Sequence, residues 1–289
     1  MSIRSESFGA EGDDQKDDSS AIQAAIDYSH ENGHLPVQLL GETYILKKGL
    51  HLKEGVSLEM GVATKLVAEG NFNVLELEEK SSVTNGTIEV TTPDFQSSAI
   101  YISGKERVWT TNRIQVENVT LYNSSGSNKG EGISLTAGSS GEFISFMNIL
   151  GVNVSGFYSG VSLEVSPPEG GEEYNFINGN RFVNLTLDDC IVCIQVDSSA
   201  SIPNEASGNM FDNLQIQLTE RTSKAVSLSG SHNIIEGMVW DMNALKGNQS
   251  LIEFSNESSE NVVKFNIPKV SLVDKGSNNH FQPGLNNTN

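Results

Sequence analysis

Apolar and polar residues alternate in short runs that recur along most of this chain. AIYIS from Ala99, GISLT from Gly132, GVSLE from Gly160, CIQVD from Cys193, AVSLS from Ala225 and LIEFS from Leu251 share one apolar phase. Period-two alternation predicts strands with Ile100, Ile133, Val161, Ile194, Val226 and Ile252 pointing inward. Ile102, Leu135, Leu163, Val196, Leu228 and Phe254 follow them on the same side. Successive runs lie 26 to 33 residues apart, which suits a wide three-sheet solenoid with loops of variable length. A second motif repeats in the same rhythm. NRFVNLTLDD from Asn180, NMFDNLQIQL from Asn209 and NIIEGMVWDM from Asn233 superimpose without gaps, and IQVENVTLYN from Ile114 and NILGVNVSGF from Asn148 fit more loosely. A flat sandwich would also give short alternating strands, but not one apolar phase in strands a whole coil apart.

The one strong helical signal lies near the start. In SSAIQAAIDYSHENG, Ala21, Ile22, Ala25 and Ile26 share a helical face, Ser20 and Gln23 have capping-box spacing, and Gly33 is placed to end the helix. The acids just before it, in FGAEGDDQKDD, are read as a solvated turn at the positive end of the helix dipole. An EF-hand loop counted from Asp13 would need glycine at Asp18 and glutamate at Ala24, so that calcium site is rejected.

The same segment carries a resemblance. FGAEGDDQKDDSSAIQAAID, followed by GETYILKKGLHLKEGVSLEMG, resembles the N-terminal signature of the pectate-lyase-like superfamily of right-handed parallel β-helices, common in phage tailspikes and polysaccharide-degrading enzymes. Asp14 stands where that signature has glycine, and Met60 is inserted before the final glycine. The resemblance covers residues 7–61 and implies an all-β chain, a single-stranded right-handed parallel β-helix of three sheets with a short N-terminal capping α-helix. The expected organisation is a cap over 1–40, the β-helix over 41–275 and a polar tail over 276–289.

Charge narrows the partners. The 289 residues hold 37 acids against 18 Lys and Arg, a net charge of −19, so no nucleic-acid partner is expected. No stretch approaches a membrane span and MSIRSESFGA lacks a signal pattern, which points to no membrane partner and to a virion or extracellular protein assembled in the cytoplasm. The two cysteines, Cys190 and Cys193, are read as small strand residues. Eight N-x-S/T sequons, among them Asn85, Asn118 and Asn184, are read as turn composition.

The repeat register aligns outward side chains. Tyr101, Ser134, Ser162, Gln195, Ser227 and Glu253 fall on one line, and Ser103, Thr136, Glu164 and Asp197 on the next. Adjacent coils are about 4.8 Å apart, so Glu164/Asp197 and Asp212/Glu236 are candidate carboxylate pairs, with Asp188 and Asp241 two coils apart. Glycosidases use carboxyls about 5 Å apart for retention and about 6.5–9.5 Å apart for inversion. LDDCIVCI also resembles the G-D-D-C-I-A-I segment of the polygalacturonase family, matching Asp188 and Asp189 to its paired aspartates, although that family's other motifs are absent. Candidate catalytic residues are therefore Glu164, Asp197, Asp212, Glu236, Asp188 and Asp241. Candidate substrate contacts are Tyr101, Gln195, Tyr174, Trp240 and Arg181, with Trp240 either an outward sugar platform or buried under the final coil. Arg181, Arg221 and Lys224 read as isolated cations, which favours a neutral glycan. No metal site is assigned, and calcium bridging enzyme and substrate stays open.

Three readings follow: a glycan-binding and glycan-cleaving β-helix of the phage tail-appendage kind, expected to be a homotrimer; a free bacterial polysaccharide lyase or hydrolase; and a noncatalytic structural or receptor-binding solenoid.

Overall fold

The structure, a computed structural model, describes residues 2–168, 173–199, 201–245, 250–268 and 271–283, without the side chains of Asp14 and Gln15. The chain winds as a right-handed parallel β-helix of three sheets, and short strands at Phe143–Ser145, Phe176–Asn178 and Glu205–Ser207 stack beside sheet three in the middle turns. Sheet one holds, among others, Ser57–Met60, Ser82–Thr84, Gln115–Glu117, Asn148–Leu150 and Arg181–Val183, and ends with His280–Pro283 paired to Val262–Phe265. Sheet two runs from Asp13–Asp17 through Thr120–Asn123, Asn153–Ser155 and Thr186–Asp188. Sheet three contains Ser98–Ser103, Glu131–Ala137, Ser159–Val165, Val192–Ser198, Lys224–Ser231 and Ile252–Ser259. Two long strands, Met210–Gln217 and Ile234–Trp240, pass through the corner and serve sheets one and two in turn. Among the described residues no helix is long and apolar enough to cross a membrane.

The predicted alternation of sheet three holds. Ile100, Ile133, Val161, Ile194, Val226 and Ile252 stack in register and are all fully buried. Tyr101, Ser134, Ser162, Gln195, Ser227 and Glu253 pair along the outer face in the predicted order. Each coil contributes a few inward apolar side chains, and the parallel ladder joins them into one continuous core.

A polar column runs through that core. Asn180, Asn209, Asn233 and Asn261 are fully buried at the same corner of successive coils. The side-chain amide of each donates to the side-chain oxygen of the next, at 2.9 to 3.0 Å, and Asn279 completes the series. The backbone N–H of each donates to the same oxygen. The second amide hydrogen goes to a main-chain carbonyl one coil back, those of Ile144, Ile177, Ala206 and Gly230. Every donor and acceptor is used, which is the condition for keeping an amide in an apolar interior. The residue before each asparagine turns the corner in the left-handed region: Gly179, Gly208, His232, Glu260 and Asn278.

Two alignments made from the sequence shift here. Asn148 does not lead its repeat, because Met147 occupies the corner and its N–H donates to Asn180. The gapless superposition of the Asn209 and Asn233 repeats fails after Phe211, where a bulge changes the register, so Gln217 pairs with Trp240 rather than Asp241.

The helix Ser19–Glu31 closes the first coil, with Ile22, Ala25 and Ile26 buried against it. Gln23 makes no capping box. Its amide instead accepts from the His51 N–H at 2.9 Å and donates to the His51 carbonyl at 3.1 Å, filling in for a neighbouring strand at the free edge of Leu50–Leu52. Asp18 is the N-cap and makes no side-chain capping bond, while Asp17 before it accepts from the Ser19 backbone and hydroxyl. Asp18 is buried and accepts the Glu11 N–H at 2.8 Å. Gly33, at φ 95°, follows the helix end as read from the sequence. Asn85, Asn118 and Asn184 are left-handed corner residues, which is the turn role assigned to their sequons, but Asn123, Asn153 and Asn256 lie in strands, and Asn248 and Asn286 lie outside the described residues.

Two outcomes follow. Asn209→Ala strands the groups that Asn209 serves in a dry interior and is expected to lower unfolding stability by at least about 2 kcal/mol, whereas exposed Asn213→Gly at the outer corner changes it by less than about 0.5 kcal/mol; chemical denaturation checks both. Partial burial pushes the Asp17 carboxyl up, but hydrogen bonds from Ser19 and from the Lys47 backbone outweigh it and hold the group below its ordinary value. Asp17→Ala removes these hydrogen bonds and is expected to cost about 0.5–1.5 kcal/mol. Because the folded value is depressed, this contribution is present above the unfolded aspartate pKa near about 3.9 and fades as pH falls through the folded value. Wild type and variant should therefore converge in acid.

Candidate functional site

The outward carboxylates separate onto three faces. On sheet three, Glu164 and Asp197 are opposite one another in adjacent strands, and both are exposed. Their line continues back through Thr136 to Ser103. Glu164 borders a depression of about 280 Å³ whose other walls include Tyr101, Lys105, Thr136 and Glu142. The Tyr101 hydroxyl meets Thr136 Oγ1 at 2.7 Å, so the ring is fixed across two coils. Gln195 stands on the parallel line and accepts from the Ser159 hydroxyl at 2.9 Å. Inward Leu163 and Val196, both buried, anchor the backbone beneath the two acids.

Loop residues complete this depression, and the sequence reading did not find them. Lys105 follows Ser103–Gly104 at the end of its strand and forms no ion pair among the described residues. Glu142 is 6% exposed. One of its oxygens accepts the Gly138 N–H at 2.7 Å and the other has no partner. Neither residue belongs to the repeat, so no periodicity marks it. Tyr174 is exposed outside this depression, on a loop of which residues 169–172 lie outside the described set.

Sheet one carries the second pair. Asp212 and Glu236 border a depression of about 440 Å³ with Met238, Lys264, Phe265 and Gln282. Lys264 Nζ lies 3.5 Å from Glu236 Oε2, so one carboxylate is already partnered. Arg181 is exposed on the same sheet between Asn148 and Met210, far in register from Glu164.

Sheet two carries the rest. Asp188 accepts the Ser155 hydroxyl at 3.1 Å. Asp241 has left the strand in a left-handed conformation and is held by the Gln217 amide. The expected alignment of these two acids through Gln217 is therefore replaced by a side-chain contact. Trp240 is 48% exposed and its Nε1 donates to Gln215 at 2.7 Å, so it faces outward. Arg221 and Lys224, read as isolated, are both paired: Arg221 with Asp189 at 3.3 Å and Lys224 with Glu253 at 2.9 Å. Asp189 also accepts from Thr219, which ties it to the loop and away from the Asp188 line. Among the described residues no three His, Cys, Asp or Glu side chains converge where they could hold a metal ion.

The family model described as rhamnogalacturonase A/epimerase, pectate lyase-like matches residues 3–216. No curated protein matches the chain. Solved structures that resemble it include ORF18 of Geobacillus virus E2, at 13% identity and TM-score 0.57 over 98% of this chain and 59% of that one. The chain thus spans 59% of the length of that viral chain. A family 28 exopolygalacturonase of Yersinia enterocolitica matches at 12% identity and TM-score 0.48, over 93% of this chain and 66% of that one. The phiAB6 tailspike, solved with oligosaccharides of Acinetobacter baumannii surface polysaccharide, matches at 16% identity and TM-score 0.43, over 96% and 47%. At these identities the likeness is one of fold.

Cys190 and Cys193 are free and fully buried; Cys193 lies in the strand Val192–Ser198 as read from the sequence, whereas Cys190 lies outside the strands, in the corner after Asp188. Burial pushes the Cys190 thiol up to about 12 and raises that of Cys193 as well. Thiolate is the reactive form, so Ellman's reagent should find no reactive thiol in the native protein at pH about 8 and both after unfolding. A native thiol that reacts at the rate of a free cysteine would contradict the packing described.

Proposed function

Because the chain belongs to the rhamnogalacturonase A/epimerase, pectate lyase-like family, we propose that it binds a polysaccharide along the outer face of sheet three and cleaves it there. The observation that carries this reading is the Glu164–Asp197 pair, set by the ladder on neighbouring coils and exposed beside a depression with an ordered tyrosine and a lysine that forms no ion pair among the described residues. In a hydrolase of this kind one carboxyl group protonates the leaving glycosidic oxygen, and the other activates water or attacks the anomeric carbon. Tyr101 offers a ring face to the sugar, and Gln195 and Thr136 offer hydrogen bonds along the track.

Lys105 favours a second reading on the same face. A lyase needs a cation against the substrate carboxylate and a base for the adjacent proton, and Lys105 lies in the same depression as Glu164. The cell-level reading is a tail-appendage protein of a virion, acting outside the cell on host or environmental glycans as a homotrimer. Exposed Met210, Ile234, Met238 and Trp240 on the last coils support association of copies.

Incubation with a panel of polysaccharides tests the chemistry. Reducing-sugar release without absorbance near 235 nm identifies hydrolysis, absorbance identifies elimination, and binding without either leaves a receptor-binding solenoid. With an active substrate, Glu164→Gln and Asp197→Asn are each expected to lower kcat by about a hundredfold or more at unchanged melting temperature. Wild-type turnover in both variants would exclude the pair and move attention to Asp212 and Glu236. Light scattering should give the mass of three chains, and a monomer at micromolar concentration would count against the virion reading.

A further inference from the structure

A third depression, of about 410 Å³, lies on sheet one near the N-terminal coils. Its floor is the outward line of Ser57, Ser82 and Gln115, and its wall is the loop bearing Thr110, Thr111 and Arg113. No carboxylate lines it, on a chain with twice as many acids as Lys and Arg. Arg113 makes no ion pair or hydrogen bond among the described residues, and its Nε is shut off from water without a partner. The terminal nitrogens of Arg113 are not shut off in this way, and a guanidinium with no counter-ion among the described residues presents the fork of donors that oxyanions match best. Lys80 also borders the space, but its ammonium is held by Glu54 and lies 3.8 Å from Glu79, so Arg113 is the charge left over.

The remaining lining is matched to the same ligand. Ser82 donates to Ser57 at 2.8 Å, which leaves the Ser57 hydroxyl proton available for a further acceptor. The side chains of Thr110, Thr111 and Gln115 are exposed and bring two hydroxyls and an amide. The space is far larger than a bare sulfate or phosphate needs and falls in the range of small-ligand pockets. Trp109, which precedes Thr110 on the wall loop, is 43% exposed, its indole braced edge-on by Phe143 and Phe146 at 6.0 and 4.8 Å. A braced, half-exposed indole on the same loop is suited to one face of a sugar ring.

We propose that this depression binds a glycosyl residue carrying an oxyanion, whether a uronate carboxylate or a sulfate or phosphate ester, with Arg113 on the anion and Trp109 at the ring. The site lies on a different sheet from Glu164 and Asp197 and requires no cleavage there. It anchors an acidic glycan to the side of the solenoid.

Trp109 provides the readout. The chain has two tryptophans, so Trp240→Phe leaves Trp109 as the sole emitter. Titration with galacturonate, glucuronate and a sulfated galactose is expected to shift its fluorescence, with at least one acidic sugar binding about tenfold or more tighter than its uncharged counterpart, galactose or methyl galacturonate. Arg113→Gln should remove that preference, and Arg113→Lys should restore part of it at an unchanged melting temperature. Calorimetry on the wild-type chain guards against a silent fluorophore. Equal binding of charged and uncharged sugars, wild-type binding by Arg113→Gln, or no heat with any probe would overturn the proposal. Inorganic sulfate binding as tightly as the acidic sugars would overturn the glycosyl assignment. Because no turnover is measured, failure here is distinct from failure of the sheet-three reading.

Discussion

The register of the C-terminal coils depends on the buried asparagine column, which begins at Asn180. A solenoid coil shares contacts only with its neighbours, so its position is set by how well it locks onto the coil below. Apolar stacking alone tolerates small slips, whereas an amide that must satisfy the next amide, the next backbone N–H and a carbonyl one coil back does not. Asn180, Asn209, Asn233 and Asn261 meet all of these demands at one corner. A slip at that corner would leave several polar groups unmatched in a dry core, a penalty of several kcal/mol against a total stability of the order of 10 kcal/mol.

Fixed register turns the outer face into straight lines of side chains, and function is a matter of what those lines carry. Sheet three presents small polar residues with two adjacent carboxylates, and its loops add Lys105 and Glu142. Sheet one presents hydroxyls and an arginine unmatched among the described residues near the N-terminal end, then Asp212 and Glu236, the latter paired with Lys264, near the other. Sheet two ends in Trp240 and Met238, both exposed. One backbone plan therefore displays chemically different faces, and adjacent coils place their groups at the spacing that carbohydrate chemistry uses.

The strands of sheet three were legible because each repeats the same alternation with the same phase, from Ile100 to Phe254. The capping helix was legible from Ile22, Ala25 and Ile26, but its start was not: Ser20 and Gln23 have the spacing of a capping box, yet the open strand edge at His51 takes Gln23, and Asp17, one residue before the N-cap, accepts the Ser19 N–H. The bulge after Phe211 was hidden because Asn213, left-handed like the corner residues Asn118 and Asn184, looks the same in sequence whether or not it adds a residue to the strand. The asparagines leading the repeats were visible as a pattern, but their amides' burial is a property of the stacked coils. Lys105, Glu142 and Arg113 sit in loops whose lengths vary from coil to coil, and no period predicts where a loop folds back.

The central claim is that register makes sheet three a glycan track. A crystal structure of the Glu164→Gln variant with an oligosaccharide of its cleaved polymer tests it most directly. The account predicts a chain lying across Tyr101, Thr136 and residue 164, with the scissile bond beside Asp197. An oligosaccharide seated instead between Asp212, Glu236 and Lys264, with sheet three bare, would contradict it.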